Sequence, residues 1–271
     1  MAITTLNDVL AGARPPAMAI KNGIAMAALG ASRGYTPWYA TGNPGASPVT
    51  AIGVNGEAVT PALASAGGRI PRANPGGSDL AYLSRLSMMT NVSGTLWLID
   101  RLWQNSGLST TLTTLQSITS AALPARDSNG ATDGVGVMAA LECSSTMGAG
   151  VPTVTLTYRD QDNNADTTST LTAVTGAPIG TFELFGLAAG DSGIRSVSGI
   201  QLSATRTSGA YHLVLFRLIA AMEVNGGLGG AIDALTGNLP RVFNDTVYQL
   251  LWHPSSAAAI NFTGSLAETH G

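Results

Sequence analysis

The chain has 271 residues with 13 basic and 16 acidic side chains, so that only 11% are charged while 45% are hydrophobic. Soluble domains usually carry about 25% charged residues, and the hydrophobic content with a net charge of -3 excludes a chain that is disordered throughout. The negative charge and the lack of a basic cluster argue against nucleic-acid binding as the main role.

The low charge predicts a surface covered largely by Thr, Ser, Asn, Gly and Ala, with Lys21 as the single lysine. Such a surface has little charge repulsion between copies, and its short side chains lose little entropy when another protein covers them. Extensive protein contact is therefore one hypothesis. An ordinary β-sandwich solvated by hydroxyl groups is the alternative, and composition alone favours neither.

The first residues predict a short helix over 5–13. Thr5 can cap its N-terminus and Asp8 stands three residues later, as in a capping box, before Pro15 and Pro16 end the helix. This start has neither the basic region nor the continuous apolar region of a secretory signal, so we expect synthesis in the cytoplasm.

Residues 30–79 predict an extended arm or long set of loops, because Gly and Pro interrupt them repeatedly. Trp38 and Tyr39 in this segment need a surface to lie on, either the chain's own core or a neighbour. Arg14 and Arg33 carry guanidinium groups that suit contacts between subunits, although pairing within the chain is the alternative. These four residues are the predicted subunit contacts.

The middle of the chain predicts a series of short strands. Val154, Leu156 and Tyr158 alternate with threonines, the period of a half-buried antiparallel strand. Residues 213–216 are apolar on both faces and predict a central strand. Further strands are predicted at 94–102, 167–174 and 200–205, and around Leu108 and Leu112.

These patterns predict roughly seven to nine strands and a mainly β fold, with an antiparallel β-sandwich or jelly-roll-like core, an extended N-terminal arm and short helices. We divide the chain into an arm and loop region at 1–79, a β-sandwich core at 80–222 and a C-terminal extension at 223–271. A parallel, helix-linked sheet is disfavoured.

The C-terminal extension predicts a flexible joint at Gly226–Gly230, a short helix around Ala231–Leu235 and an apolar stretch at Val247–Trp252. Two alternatives remain open for this extension: it closes the core, or it reaches a partner.

One segment, Gly190–Gly193, resembles the nucleophile segment of trypsin-like serine proteases. In that family the general-base histidine precedes the serine, whereas His212, His253 and His270 all follow it here. A surface turn is therefore the favoured interpretation, and we predict that the chain is not an enzyme.

The acidic segment Asp160–Asp166 places oxygen side chains at alternate positions, as calcium loops do. Ala165 and Leu171 stand where an EF-hand loop needs Gly and Glu, so a solvated hairpin turn is favoured, with weak calcium binding left open. Asp127–Gly130 likewise predicts a turn.

Other cofactor patterns are missing from the sequence. The histidines have no zinc spacing, the glycines form no nucleotide-binding loop, and Cys143 lies in an apolar run that predicts a buried, inert thiol. The most apolar run, 213–222, is shorter than the about 20 residues of a membrane helix. We predict no catalytic, cofactor-binding or metal-binding residues and no membrane span.

Three segments carry a resemblance to a known class of proteins: Met1–Leu6, Gly94–Trp103 and Gly193–Ala204. With the threonine-rich strands between them, they resemble structural proteins from the virions of tailed bacteriophages, of the head-associated cement or decoration kind. The resemblance covers roughly residues 80–220 and the first few residues. It implies a β-rich subunit present in many copies on a capsid, without a cofactor or catalytic residues.

The resemblance also implies partners and a location. The expected partners are the major capsid protein and copies of the chain itself, which form a trimer. The expected location is the virion. The contact segments expected from it are 1–45 and the tail after Gly226. The alternatives are a tail or fibre protein with a receptor- or glycan-binding role, and a main shell or tail-tube subunit.

Overall fold

The computed structural model describes residues 3–24, 33–49, 51–165, 167–236, 238 and 240–271. Their regular elements are the helix α1 Leu6–Ala11, 3-10 turns at Pro37–Tyr39 and Ala64–Ala66, and seventeen strands. The strands, numbered along the chain, are β1 Ala17–Ile24, β2 Gly34–Tyr35, β3 Gly42–Asn43, β4 Glu57–Ala58, β5 Ala81–Thr90, β6 Gly94–Gln104, β7 Gln116–Ser117, β8 Val137–Ser145, β9 Thr153–Asp160, β10 Thr167–Thr172, β11 Thr181–Leu184, β12 Ile194–Leu202, β13 Ala210–Val224, β14 Gly230–Asp233, β15 Arg241–Val242, β16 Tyr248–Pro254 and β17 Ile260–His270.

Six strands form a closed ring in the order β13-β8-β11-β2-β16-β6, which closes because β6 also pairs with β13. Successive side chains on these strands point to opposite faces. On β8, for example, Ala140 points into the ring whereas Ala139 and Leu141 point out of it. The interior of the ring is filled by Ile99, Ala140, Phe182, Val214, Phe216 and Leu251.

Flanking sheet I has the strand order β14-β5-β17-β1-β3, with β15 also paired to β5. It packs one face on the outside of the ring, where Leu86, Met88 and Phe262 share a core with Leu96 and Trp252.

Flanking sheet II has the order β10-β9-β12-β7 and packs in the same way through Val154, Leu156 and Ile200 against Leu141 and Leu215. The named strand pairs of the described chain are all antiparallel, and the predicted mainly β, sandwich-like fold is confirmed.

Several predicted elements are confirmed. Helix α1 begins with a capping box in which the Thr5 hydroxyl accepts a hydrogen bond from the Asp8 amide and the Asp8 carboxylate accepts one from the Thr5 amide. The predicted central strands at 94–102 and 213–216 lie in β6 and β13, which pair with each other and with further ring strands.

The strand predicted around Leu108 and Leu112 is wrong. Leu108 makes one isolated bridge to Tyr211, and Leu112 is exposed. Between them, backbone amides are hydrogen-bonded to side chains and not to a neighbouring strand. The Ser109 amide donates to Gln116 Oε1 at 2.7 Å, and the Thr111 amide donates to the Ser109 hydroxyl. Such local bonds compete with strand pairing.

The helix predicted around Ala231–Leu235 is also wrong. Residues 230–233 are strand β14, in which Ile232 pairs with Leu86 of β5. A turn follows, because Asp233 Oδ1 accepts hydrogen bonds from the Leu235 and Thr236 amides. Pairing with a long neighbouring strand outweighs the weak helix propensity of this short segment.

The C-terminal residues help to close the core, as one of the two alternatives for this segment predicts, and contact of the tail after Gly226 with a partner stays a prediction. Strand β16 completes the ring, and β17 lies between β1 and β5 in flanking sheet I. Strand pairing thus joins segments from all three predicted regions, 1–79, 80–222 and 223–271. The division into three domains itself stays a prediction.

Candidate functional site

Two of the four predicted contact residues lie at the surface. The Arg14 side chain is exposed while its amide donates to the Glu268 carbonyl at 2.9 Å. The Arg33 side chain is 46% exposed, with Nη1 3.6 Å from Glu183 Oε1. Both guanidinium groups therefore have surface that a neighbouring subunit could cover.

The two aromatic contact residues turn toward the chain's own core. Trp38 is 2% exposed, and the Arg101 guanidinium carbon lies 5.2 Å from its ring centroid. Tyr39 is half-buried, and its hydroxyl donates to Glu142 Oε2 at 2.9 Å and lies 3.1 Å from His212 Nδ1. Trp38 leaves almost no surface for a partner, and the assignment of all four as subunit contacts stays a prediction.

Tyr39 belongs to a buried polar cluster at one end of the ring. Arg101 on β6 and Glu142 on β8 are fully buried and form two hydrogen bonds, of 2.9 and 2.7 Å. Gln249 on β16 donates to Glu142 Oε1 and to the Thr36 hydroxyl. Burial alone would raise the pKa of Glu142, but Arg101 and His212 outweigh it and hold that pKa below its usual range.

A second buried cluster surrounds Asp100. Its Oδ2 lies 3.2 Å from Arg126 Nε and 3.7 Å from Arg217 Nη2, and its Oδ1 accepts a hydrogen bond from the Val247 amide. Burial raises the pKa of Asp100 in spite of the two arginines. The sequence analysis predicted neither cluster. Charged residues inside a predicted apolar strand, as in 94–104, indicate buried ion pairs and could have identified both.

Burial of charge is a general property of this chain. The chain has 13 basic and 16 acidic residues, and eleven of those that the structure describes are buried. They are Lys21, Asp100, Arg101, Arg126, Asp127, Glu142, Asp160, Glu183, Arg206, Arg217 and Glu268. The surface is therefore poorer in charge than the composition alone indicates.

The acidic segment between β9 and β10 forms the predicted hairpin turn, which is confirmed. Asp160 Oδ1 accepts hydrogen bonds from the Asp162 and Asn164 amides, and Oδ2 accepts one from the Asn164 side chain. The carboxylate thus organises its own turn. Asp166 lies outside the described residues, and the described ones contain no group of three or more His, Cys, Asp or Glu side chains placed to hold a metal ion.

The remaining candidate segments are structural. Asp127 accepts hydrogen bonds from the Asn129 and Ala131 amides, which confirms the predicted turn. In the protease-like segment, Asp191 accepts a hydrogen bond from the Tyr158 hydroxyl and the Ser192 amide donates to Gln161 Oε1. Cys143 is buried as predicted, and burial raises the pKa of its thiol.

Within the part of the chain that the structure describes, no helix has the length and apolar character needed to cross a bilayer.

Comparison with known proteins gives few matches. No protein-family model and no curated protein matches the chain. Among solved structures, one titled "Structure of infectious bursal disease virus Gx strain" is similar at 13% identity over 82% of this chain and 45% of that chain, with a TM-score of 0.21. The "Crystal structure of infectious bursal disease virus VP2 subviral particle" is similar at 9% identity over 74% and 46%, with a TM-score of 0.18.

The chain spans less than half the length of these two structures. At TM-scores of this size the likeness assigns neither a fold family nor a function.

Proposed function

We propose that this chain is a structural subunit of a virus particle and, more specifically, a cement protein of a tailed-bacteriophage head. In this proposal it binds the major capsid protein and copies of itself, as a trimer, and bridges neighbouring capsid subunits. Its role is mechanical and includes no chemical step. The resemblance of Gly94–Trp103 and Gly193–Ala204 to phage head proteins supports the proposal.

The observation that carries the proposal is the character of the surface. Much of the chain's charge is buried, while twelve large hydrophobic side chains of the described residues are exposed, up to 87% for Leu228. A surface with few charges has little charge repulsion between copies, and its short side chains lose little entropy when another protein covers them.

The architecture suits a mechanical role. The ring and both flanking sheets share continuous apolar cores, so a load on one sheet is transmitted to the others through close-packed side chains. Each bridging copy adds contact area to the shell, and many copies together dissociate slowly because their contacts act as one multivalent interface.

Binding to capsid shells that lack this protein tests the proposal. We expect the purified chain to co-sediment with such shells and to raise the temperature at which they open. Because the proposed contact is weakly ionic, binding should change less than tenfold between about 0.05 M and about 0.5 M salt. A chain that leaves shells unbound and their opening temperature unchanged would contradict the proposal.

A further inference from the structure

Strand β10 forms one edge of flanking sheet II, because it pairs with β9 on one side and with no described strand on the other. It has six residues, Thr167–Thr172. The other edge strands of the described chain are shorter, since β3, β4, β7 and β15 have two residues each and β14 has four. Strand β10 is therefore the longest edge strand of the described sheets.

The register with β9 shows which backbone groups of β10 are unpaired. Thr172 lies opposite Thr153, whose carbonyl accepts a hydrogen bond from the Ser203 amide and whose amide donates to the Ser203 hydroxyl, on the side of β12. Hydrogen-bonded and non-hydrogen-bonded pairs alternate along an antiparallel ladder. Thr168, Thr170 and Thr172 therefore belong to the non-hydrogen-bonded pairs and turn their amides and carbonyls away from β9.

Val174 shows the same direction just beyond the end of the strand. Its amide is the next in the alternating series and donates to Glu183 Oε1 at 2.7 Å, on β11. The backbone groups of Thr168, Thr170 and Thr172 have no such partner among the described residues. All three residues are exposed, so water satisfies these groups until another backbone replaces it.

This edge lacks the features with which proteins usually prevent the addition of a strand. Native edge strands carry lysines or prolines, contain a bulge, or are very short. The segment 167–172 has no charged residue and no proline, and its six pairs with β9 run in unbroken register. Edge strand β14, by contrast, is short and carries Asp233. An unprotected edge of this kind suits the addition of an extended segment from another chain.

A groove of about 500 Å³ lies beside the edge of β10. Thr170 and Thr172 line it on the β10 side, and Glu183 and Leu184 line it on the β11 side. Its volume falls in the range of about 300 to 1,000 Å³ that is typical of ligand sites. The unpaired backbone groups of β10 thus meet a space that another molecule can fill.

The apolar part of the groove lies at the end of the ring interior. Trp97 packs against that interior, and its ring centroid lies 4.6 Å from that of His253. Both side chains line the groove and are half-buried, so a further side chain can cover them. Besides His253, the charged groups of the groove are Arg33 and Glu183, which have opposite charges and lie 3.6 Å apart. An uncharged, partly apolar occupant fits these surroundings.

The shape of the groove admits a single extended segment. Strand β10 bounds it on one side, and β11 with the end of the ring bounds it on the other, so a strand that already belongs to a sheet would collide with one of these walls. The described strands of a second copy all belong to sheets. The occupant that fits is therefore an extended segment of a different protein, in which side chains alternate between the groove and solvent.

We propose that an extended segment of the major capsid protein adds to the edge of β10 and places its apolar side chains in the groove between β10 and β11. This inference rests on the proposed function, because it names the surface through which the chain binds the shell. The added segment pairs its backbone with Thr168, Thr170 and Thr172 and extends flanking sheet II by one strand. Main-chain hydrogen bonds hold it, and the groove selects its side chains.

Proline substitution tests the assignment of the edge. Thr170→Pro removes an amide that points away from β9 and leaves the hydrogen bonds between β10 and β9 in place, and edge strands tolerate proline at such positions. The matched control is Ala231→Pro on edge strand β14. The Ala234 amide donates to the Ser84 carbonyl of β5, so by alternation the Ala231 amide points away from β5. Both variants should keep the circular dichroism spectrum and unfolding temperature of the wild type.

Co-sedimentation with capsid shells that lack the protein, over a concentration series, measures the affinity of each variant. We expect Thr170→Pro to bind at least about tenfold more weakly than wild type, because it loses a backbone hydrogen bond and places a ring in the path of the added strand. Ala231→Pro should bind as wild type does. Hydrogen exchange of the wild type follows β10 without any substitution, and we expect its 168–172 amides to exchange at least about tenfold more slowly on shells than in the free chain.

Each outcome decides between the two proposals. Unchanged exchange of 168–172 on shells, or a folded Thr170→Pro variant that binds as wild type does, overturns this inference and leaves the proposed function standing. Equal weakening by both proline variants also overturns it. If Thr170→Pro does not fold, the exchange result alone decides. A wild type that leaves shells unbound rejects the proposed function and this inference with it.

Discussion

The single lysine of the chain occupies an unusual position for its residue type. Lys21 is 3% exposed, and its ammonium group donates to the Ala40 carbonyl at 2.7 Å and to the Gly45 carbonyl at 3.3 Å. Burial lowers its pKa from the ordinary 10.5 to about 8. Folding therefore disfavours the charged form of this side chain.

This shift predicts how stability depends on pH. Between pH 8 and 10.5 the unfolded chain binds more protons at Lys21 than the folded chain, so the free energy of unfolding rises with pH in this window. We expect a contribution of about 1 to 3 kcal/mol, with the penalty fully present below pH 8. In Lys21→Met this rise is absent. Urea unfolding of both proteins at a series of pH values measures it, and parallel pH profiles would contradict the assignment.

Residue type alone did not predict whether the aromatic contact residues Trp38 and Tyr39 face the chain's own core or a neighbour. Trp38 and Tyr39 stand in a Gly- and Pro-rich segment, where large aromatic residues are equally compatible with the chain's own core and with a neighbour. Their inward direction depends on Arg101 and Glu142, which lie on strands distant in sequence. A single sequence contains no information on that pairing.

At the scale of elements, the Arg101 and Glu142 pair joins three parts of the fold. It connects β6 to β8, and through Tyr39 it holds the 3-10 turn at Pro37–Tyr39 against one end of the ring. Hydrogen bonds from Gln249 extend the connection to β16. The cluster therefore fixes the N-terminal loops on the ring.

Removing one charge of this pair should destabilise the fold strongly. In Glu142→Gln the buried Arg101 guanidinium loses its counter-charge, which costs about 3 to 5 kcal/mol. The double variant Arg101→Met with Glu142→Leu removes both charges and should cost less than the single change. Urea unfolding measures both.

The exposed pair of Arg195 and Asp133, 3.2 Å apart, provides the control for this experiment. Because solvent screens exposed ion pairs, Asp133→Asn should change stability by less than about 1 kcal/mol. If Glu142→Gln costs no more than this control, the buried cluster does not hold the loops as described.

The sequence predicted those elements whose signal is local. Alternation of apolar residues and threonines identified β9 and β10, continuous apolar runs identified β6 and the start of β13, and the capping residues identified α1. Strand β14 was missed because its pairing with β5, more than 130 residues earlier, determines its conformation. Closure of the ring by β6 and β13 is likewise a long-range property.

At the scale of the whole molecule, the layered arrangement separates charge from surface. Ion pairs lie in and beside the ring, whereas the two flanking sheets present faces of low charge to solvent. The composition predicted a surface with few charges. The burial of eleven charged residues leaves still fewer charges at the surface.

The central claim is that this chain is a structural subunit of a virus particle. Electron cryo-microscopy of intact particles that contain the protein tests the claim most directly. We predict density on every capsomer that fits the six-stranded ring and its two flanking sheets. A single ring of density at the tail would contradict the cement role, and absence of the chain from the particles would contradict the central claim.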